Sequence, residues 1–237
     1  MSVKVVHIQN LGNVTFSQNA RSRSIRLRVK PDQTILVSFP AYVSFMEATR
    51  FAEQHTEWVI RQKEKNEHRL KKFSEDEPVK TRSYTIYFKK HPGKFSLKQT
   101  KTQIIILYPE QSNLNDPEIT GKINKVLTAV YRLEAKEHLP PRLTQLAAAH
   151  GFQFGNISIR NNTSNWGSCS GKNNINLNLH LMKMPDHLID YILLHELAHT
   201  RVKNHGPKFW KLLDLLTGNQ ASQLAKEVRK YSTYSFL

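Results

Sequence analysis

Apolar positions alternate with polar ones in short runs through the first 110 residues and recur at helical spacing through most of the rest. Val3 to Ile8, Asn13 to Phe16, Ile25 to Val29 and Thr34 to Phe39 are separated by turn signals at Leu11-Gly12 and Pro31-Asp32, which predicts four short strands. In the third run Ile25, Leu27 and Val29 share one face, and Arg26, Arg28 and Lys30 share the other. Ser44 with Glu47 three residues later is a capping box opening a helix carried by Phe45, Ala48, Phe51, Ala52, Trp58, Val59 and Ile60. Its tail, Arg61 to Lys72, is a charged run of the kind that forms an exposed helix face or a linker. Tyr84 to Lys89, Lys94 to Lys98 and Gln103 to Tyr108 predict a second strand group, with a turn at His91-Pro92-Gly93, and the polar stretch Pro109 to Pro117 reads as a boundary.

Past that boundary the period changes. Ile119, Ile123, Val126, Leu127, Val130, Tyr131 and Leu133 predict a helix from Glu118 to His150, broken or kinked at Pro140-Pro141 and ended by Gly151. Asn174 to Leu181 alternates most cleanly, with Ile175, Leu177, Leu179 and Leu181 on one face and Asn174, Asn176, Asn178 and His180 on the other, which predicts a strand. Pro185-Asp186 opens a helix with the stripe Leu188, Ile189, Ile192, Leu193, Leu197 and Ala198. Phe209, Trp210, Leu213 and Leu216 follow at helical spacing, Thr217-Gly218-Asn219 ends that helix, and Gln220 to Lys230 forms a short last one. The expected class is α+β, with an N-terminal β-rich module carrying a helix over 1–112 and a second domain over 113–237. No internal repeat is evident in the sequence.

Composition narrows the functional classes. At 39% apolar the chain can build a core. No run of 18 apolar residues occurs and Met1 to Asn10 lacks a signal-peptide core, so the expectation is a soluble, cytoplasmic protein with no membrane partner. Cys169 is the single cysteine, which excludes an intrachain disulfide and leaves a Cys-His nucleophile as a weaker alternative. A net charge of +16 favours acidic partners and makes nucleic acid a possible one, against the simpler reading of a solvated basic surface.

The chemistry concentrates in His195-Glu196-Leu197-Ala198-His199. Residues four apart lie one helical turn above each other, so His195 and His199 can aim at one point with Glu196 beside them. A catalytic zinc normally takes three protein ligands and water. His205 is the candidate third: the chain is expected to leave the helix near Lys203-Asn204, with Asn tolerating a left-handed exit, and to restart at Gly206-Pro207. Asp214 and Glu227 are rival third ligands. One zinc ion per chain with Glu196 as general base points to peptide-bond hydrolysis. A metzincin arrangement is excluded, because Val202 stands where that pattern needs Gly and no Met follows Met184. Asn176, Asn178 and Trp166 are candidate substrate contacts, from a strand at Ile157 to Arg160 or at Asn174 to Leu181 lining the cleft. The amides could equally satisfy the Trp166 to Ser170 loop. His180, His187, Arg160 and Tyr191 are candidates for stabilising the oxyanion.

Ile157 to Arg160, Asn165-Trp166-Gly167-Ser168-Cys169-Ser170, Asn174 to Asn178, Tyr191 to His199, Asn204-His205, Phe209-Trp210 and the Arg23 to Val29 run together resemble the YgjP-like metallopeptidases, predicted metal-dependent hydrolases similar to the SprT and WLM zincins. The resemblance implies a small zincin-like (minigluzincin) domain, zinc ligands at His195, His199 and His205, a catalytic Glu196, and the 118–150 helix as backing for the metal helix. Two other classes stay open: a metal-binding module that does not cut, and a nucleic-acid-associated protease of the SprT kind.

Overall fold

The computed structural model describes residues 3–30, 33–67 and 72–233. The predicted turn at Pro31-Asp32 and residues 68–71 of the charged run lie outside them. The chain divides into two compact units that part at Lys71/Lys72. The strand group expected to close the N-terminal module before residue 112 belongs instead to the second unit, because Ile86, Phe88, Ile106 and Tyr108 share a core with Ile119, Ile123 and Leu127.

In the first unit β1 (Val3–Ile8), β2 (Gly12–Gln18), β3 (Arg26–Val29) and β4 (Ile35–Phe39) form a sheet in the order β1-β2-β4-β3. β1 and β3 run antiparallel to their partners, while β2 and β4 are parallel. The alternation reads out as expected, with Val14, Phe16, Ile35 and Val37 buried and Arg26 and Arg28 exposed. Ser44 caps α1 (Phe45–Gln54), with both halves of the capping box formed. The predicted single helix is interrupted at His55, whose Nδ1 donates to Phe51 O at 2.8 Å while Thr56 Oγ1 donates to Glu53 O at 2.7 Å. These side chains draw off carbonyls that the helix ladder needs. The chain resumes as α2 (Thr56–Glu67).

The second unit opens with β5 (Val79–Lys80), β6 (Thr85–His91), β7 (Ser96–Gln99) and β8 (Gln103–Pro109), in the order β5-β6-β8-β7. This repeats the first sheet strand for strand: outer pairs antiparallel, the second and fourth strands parallel. The repeat lies in the topology and escaped the sequence.

A helix follows here too. α3 (Pro117–Ala149) is 33 residues long, roughly 50 Å. It runs through Pro140 and Pro141 without the predicted break, since Leu139 and Leu143 on either side are fully buried and hold the turn in the core. Buried Glu134 accepts from Thr81 Oγ1 at 2.6 Å and Ser83 N at 2.7 Å, tying the entry to the sheet onto α3.

Beyond α3, β9 (Ile157–Arg160), β10 (Gly167–Cys169) and β11 (Ile175–Asn178) make a small sheet ordered β10-β11-β9. The strand predicted over Asn174 to Leu181 stops at Asn178, whose side chain accepts from His180 N and caps a 3-10 helix over Leu179–Lys183. The polar face is half-buried at Asn174 and Asn176 and fully enclosed at Asn178 and His180, so from Asn178 onward the alternation does not report a wet face. α4 (Asp186–Arg201), α5 (Pro207–Leu216) and α6 (Ala221–Val228) complete a mixed α+β architecture with six α-helices among the described residues. None is long and apolar enough to cross a membrane.

Candidate metal centre

α4 is held from several sides: it packs on α3, β10, α5 and α6. Leu193, Leu197 and Ala198 are fully buried on its inner face. Arg142 makes a two-pronged ion pair with Asp190 at 2.7 and 2.5 Å, and Arg82 pairs with Asp186 in the first turn, where an acid also favours the helix dipole. The helix ends at Val202, in extended conformation with its N–H on Ala198 O. The exit therefore needs no left-handed residue, and Asn204 does not adopt positive φ. Gly206 N donates to Asn204 O at 2.8 Å, and Pro207 starts α5, as the Gly-Pro pair predicts.

This turn swings His205 back over the helix. His205 Nε2 lies 3.0 Å from His195 Nε2 and 3.0 Å from His199 Nε2, and the three ligand atoms fall within 4.8 Å of one another. Neither Asp214 nor Glu227 joins them: Asp214 accepts from Ala221 N, and Glu227 is bonded by His187. His199 Nδ1 donates to Val202 O at 3.0 Å, which leaves its Nε2 as a lone pair aimed at the focus. Phe209 of α5 backs all three imidazoles at centroid distances of 4.4 to 4.8 Å. Trp210 Nε1 donates to His205 O at 3.1 Å and steadies the loop.

Burial first, then the neighbouring imidazoles, pull His195 down to about 3, and burial lowers His199 as well. Neutral rings are the form that ligates a metal. One Nε2 hydrogen cannot serve two facing nitrogens at once, so lone pairs confront each other unless a cation sits among them. On a tetrahedral zinc with bonds of about 2.1 Å two nitrogens stand roughly 3.4 Å apart, close to the spacing here, so this donor set fits the ion.

Glu196 lies beside the triad, buried, with Oε2 lacking any hydrogen-bond partner. Burial alone pushes its carboxyl up to about 8. An orphaned acid beside three neutral imidazoles again fits a positive charge between them.

These residues open on a cleft of about 530 Å³ whose walls include Trp166, Gly167, Cys169, Tyr191, Lys203, Trp210 and Val228. The strand at the cleft is β10, and neither β9 nor β11 as expected; among the described residues β10 pairs only with β11. Trp166 lines the cleft while packing on the core. Asn176 and Asn178 do not line it. Asn178 Nδ2 donates to Asn162 O and Asn165 O, each at 2.8 Å, and Asn176 bonds Ser158 and Ser168. Both amides are spent on the framework. Of the oxyanion candidates Tyr191 alone lines the cleft; His180 is buried against Asn161 and Tyr131. Burial raises the Cys169 thiol above its ordinary value, which disfavours the thiolate a nucleophile needs. Lys203 was missed by sequence reasoning. Its Nζ reaches Ser170 O at 2.9 Å and Asn173 Oδ1 at 2.5 Å, bracing the β10–β11 turn from the loop after α4. No local pattern announces such a contact.

Two imidazoles one helical turn apart, a third returned by a loop and a buried acid on the same helix are the donor set expected of a metallopeptidase. The chain belongs to the family described as YgjP-like, metallopeptidase domain, whose profile matches residues 23–230. No curated protein matches. Among solved structures, the metallopeptidase zymogens of Methanocaldococcus jannaschii jannalysin and Pyrococcus abyssi abylysin are similar at 23% and 22% identity over 39% of this chain and 94% and 93% of theirs. Both TM-scores are 0.35, too low for anything further to rest on the likeness.

Proposed function

We propose that this metallopeptidase-family chain is a zinc-dependent endo- or exopeptidase in which His195, His199 and His205 hold the metal and Glu196 is the general base. The observation that carries the reading is the convergence of three imidazole nitrogens beside a buried carboxylate with an unsatisfied oxygen. A zinc ion held there supplies a Lewis acid that acidifies water and polarises a carbonyl. Glu196 takes the proton of the attacking water and delivers it to the departing amine, and its unbonded Oε2 beside the three imidazoles is free for that exchange. Tyr191, kept protonated by burial, offers a hydroxyl donor to the charge that develops on the carbonyl oxygen. β10, with one edge unpaired among the described residues, suits an extended peptide, and Trp166 and Trp210 provide apolar walls.

Metal analysis and peptide hydrolysis of the wild type, His205→Ala and Glu196→Gln test this together. The wild type should carry one zinc, His205→Ala should lose it, and Glu196→Gln should keep it with activity reduced at least about 100-fold. Full activity in Glu196→Gln, or undiminished zinc in His205→Ala, sinks the assignment.

A further inference from the structure

Gly167 meets Glu196 at the point where β10 passes over α4. A Cβ at Gly167 would stand 2.6 Å from Glu196 Oε1, 2.7 Å from its Cγ and 2.8 Å from its Cδ. All three lie far inside van der Waals contact. We propose, building on the reading of Glu196 as the working base, that Gly167 is a positioning residue whose bare Cα forms the wall that aims the Glu196 carboxylate.

The backbone conformation does not demand glycine at this position, for Gly167 is absent from the positive-φ residues, where Gly12, Gly151 and Gly218 do appear. What demands it is the space. The strand cannot back away: Gly167 pairs with Leu177, its carbonyl accepts from Asn165 Nδ2 at 3.0 Å, and Trp166 O accepts from Asn178 N at 2.8 Å. Leu177 and Asn178 are fully buried. The helix cannot withdraw either, with Leu193 and Leu197 fully buried in the core beneath it. The carboxylate is the part that gives, and the Cγ contact means that turning the last bond alone does not relieve it. Because Oε2 has no hydrogen bond to orient it, the wall does the aiming that donors do elsewhere. A methyl at 167 therefore redirects Glu196 and leaves the three imidazoles, which are backed by Phe209, where they are.

The test compares the full-length, zinc-loaded wild type with Gly167→Ala, and then runs a double-mutant cycle in metal-free protein with Glu196→Ala. Gly167→Ala should keep one zinc per chain and lose at least about 100-fold in kcat on a fluorogenic peptide, with KM moved less than about threefold. In the metal-free cycle Gly167→Ala should lower Tm by roughly 3–10 °C when Glu196 is present and by nothing when it is Ala, since the colliding atoms are gone. An unchanged kcat, loss of zinc together with kcat, or an equal fall in Tm in both backgrounds overturns the proposal. If Gly167→Ala does not fold, recovery of folding in Gly167→Ala/Glu196→Ala supports it and failure of both overturns it. If the wild type cleaves no peptide, the peptidase reading fails by itself, and the thermal cycle still decides the contact.

Discussion

The sheets β1–β4 and β5–β8 have the same strand order and the same pairing directions, yet among the described residues the three converging histidines lie in the unit built on the second. The helices that follow them differ. After the first sheet, α1 ends at Gln54 and, among the described residues, α2 contributes only Val59 to the buried core. After the second, α3 keeps a buried face from Ile119 to Ala147 and serves as the bed for α4. The same four-strand device thus ends in two outcomes, decided by whether the next helix has a long apolar face to offer a further layer.

Truncating the two cores is the strongest way to break that comparison. Leu127→Ala in α3 should cost about 2–5 kcal/mol and weaken zinc binding with the second unit, whereas Phe16→Ala in β2 should cost about 3–5 kcal/mol in the first unit and leave zinc affinity unchanged. Urea unfolding read alongside zinc titration checks both, and equal loss of zinc from the two variants would mean that the units do not act separately. Next, zinc at about 1,000 times its Kd should raise the second unit's stability by about 4 kcal/mol and leave the first unit's transition where it is, with chelation reversing the gain. Calorimetry with and without chelator reads this directly.

A smaller effect, on the order of 2 kcal/mol once the site relaxes, concerns pH in metal-free protein. Glu196 stands at about 8 when folded against an ordinary 4.5, so the folded chain retains a proton that the unfolded chain releases. That contribution is complete below pH 4.5 and disappears as pH rises through 8. Wild type should therefore lose stability relative to Glu196→Gln across this window; parallel curves would remove the raised carboxyl from the account. Smallest of all, Ser44→Ala should cost about 1 kcal/mol, because it removes the hydroxyl that accepts from Glu47 N and donates to Glu47 Oε2 while leaving the backbone half of the box. Asp116→Ala should cost α3 less, since Asp116 makes no side-chain bond to its helix. Thermal melts of the pair separate the two helix starts.

Much of both units is legible residue by residue. The His195/His199 spacing, the Gly206-Pro207 restart and the Ser44 cap are signals completed within one or two turns of chain. The misreadings share a cause. Pro140-Pro141 predicts a break or kink and Asn174 to Leu181 a continuous strand, yet α3 stays one helix and the strand ends at Asn178, because local preference carries no sign of the core packing around these residues. The polar Pro109 to Pro117 stretch looks like a domain linker at 112, yet it joins β8 to α3 over one core and the units part near 71. The Lys203-Asn204 pair predicts a left-handed exit after α4, but extended Val202 ends the helix and Asn204 keeps a negative φ.

The sequence by itself determined which chemistry could assemble, since helical periodicity places His195, Glu196 and His199 together before any other part of the chain is known. Tertiary structure decided what surrounds that chemistry: β10 and not β11 at the cleft, Asn176 and Asn178 as framework, Lys203 as a brace, and the bare Cα of Gly167 against Glu196. The physical reason is range. A ligand pair one turn apart is set by bond geometry, whereas a contact between strand and helix depends on sheet register and on how tightly buried neighbours forbid either side to move.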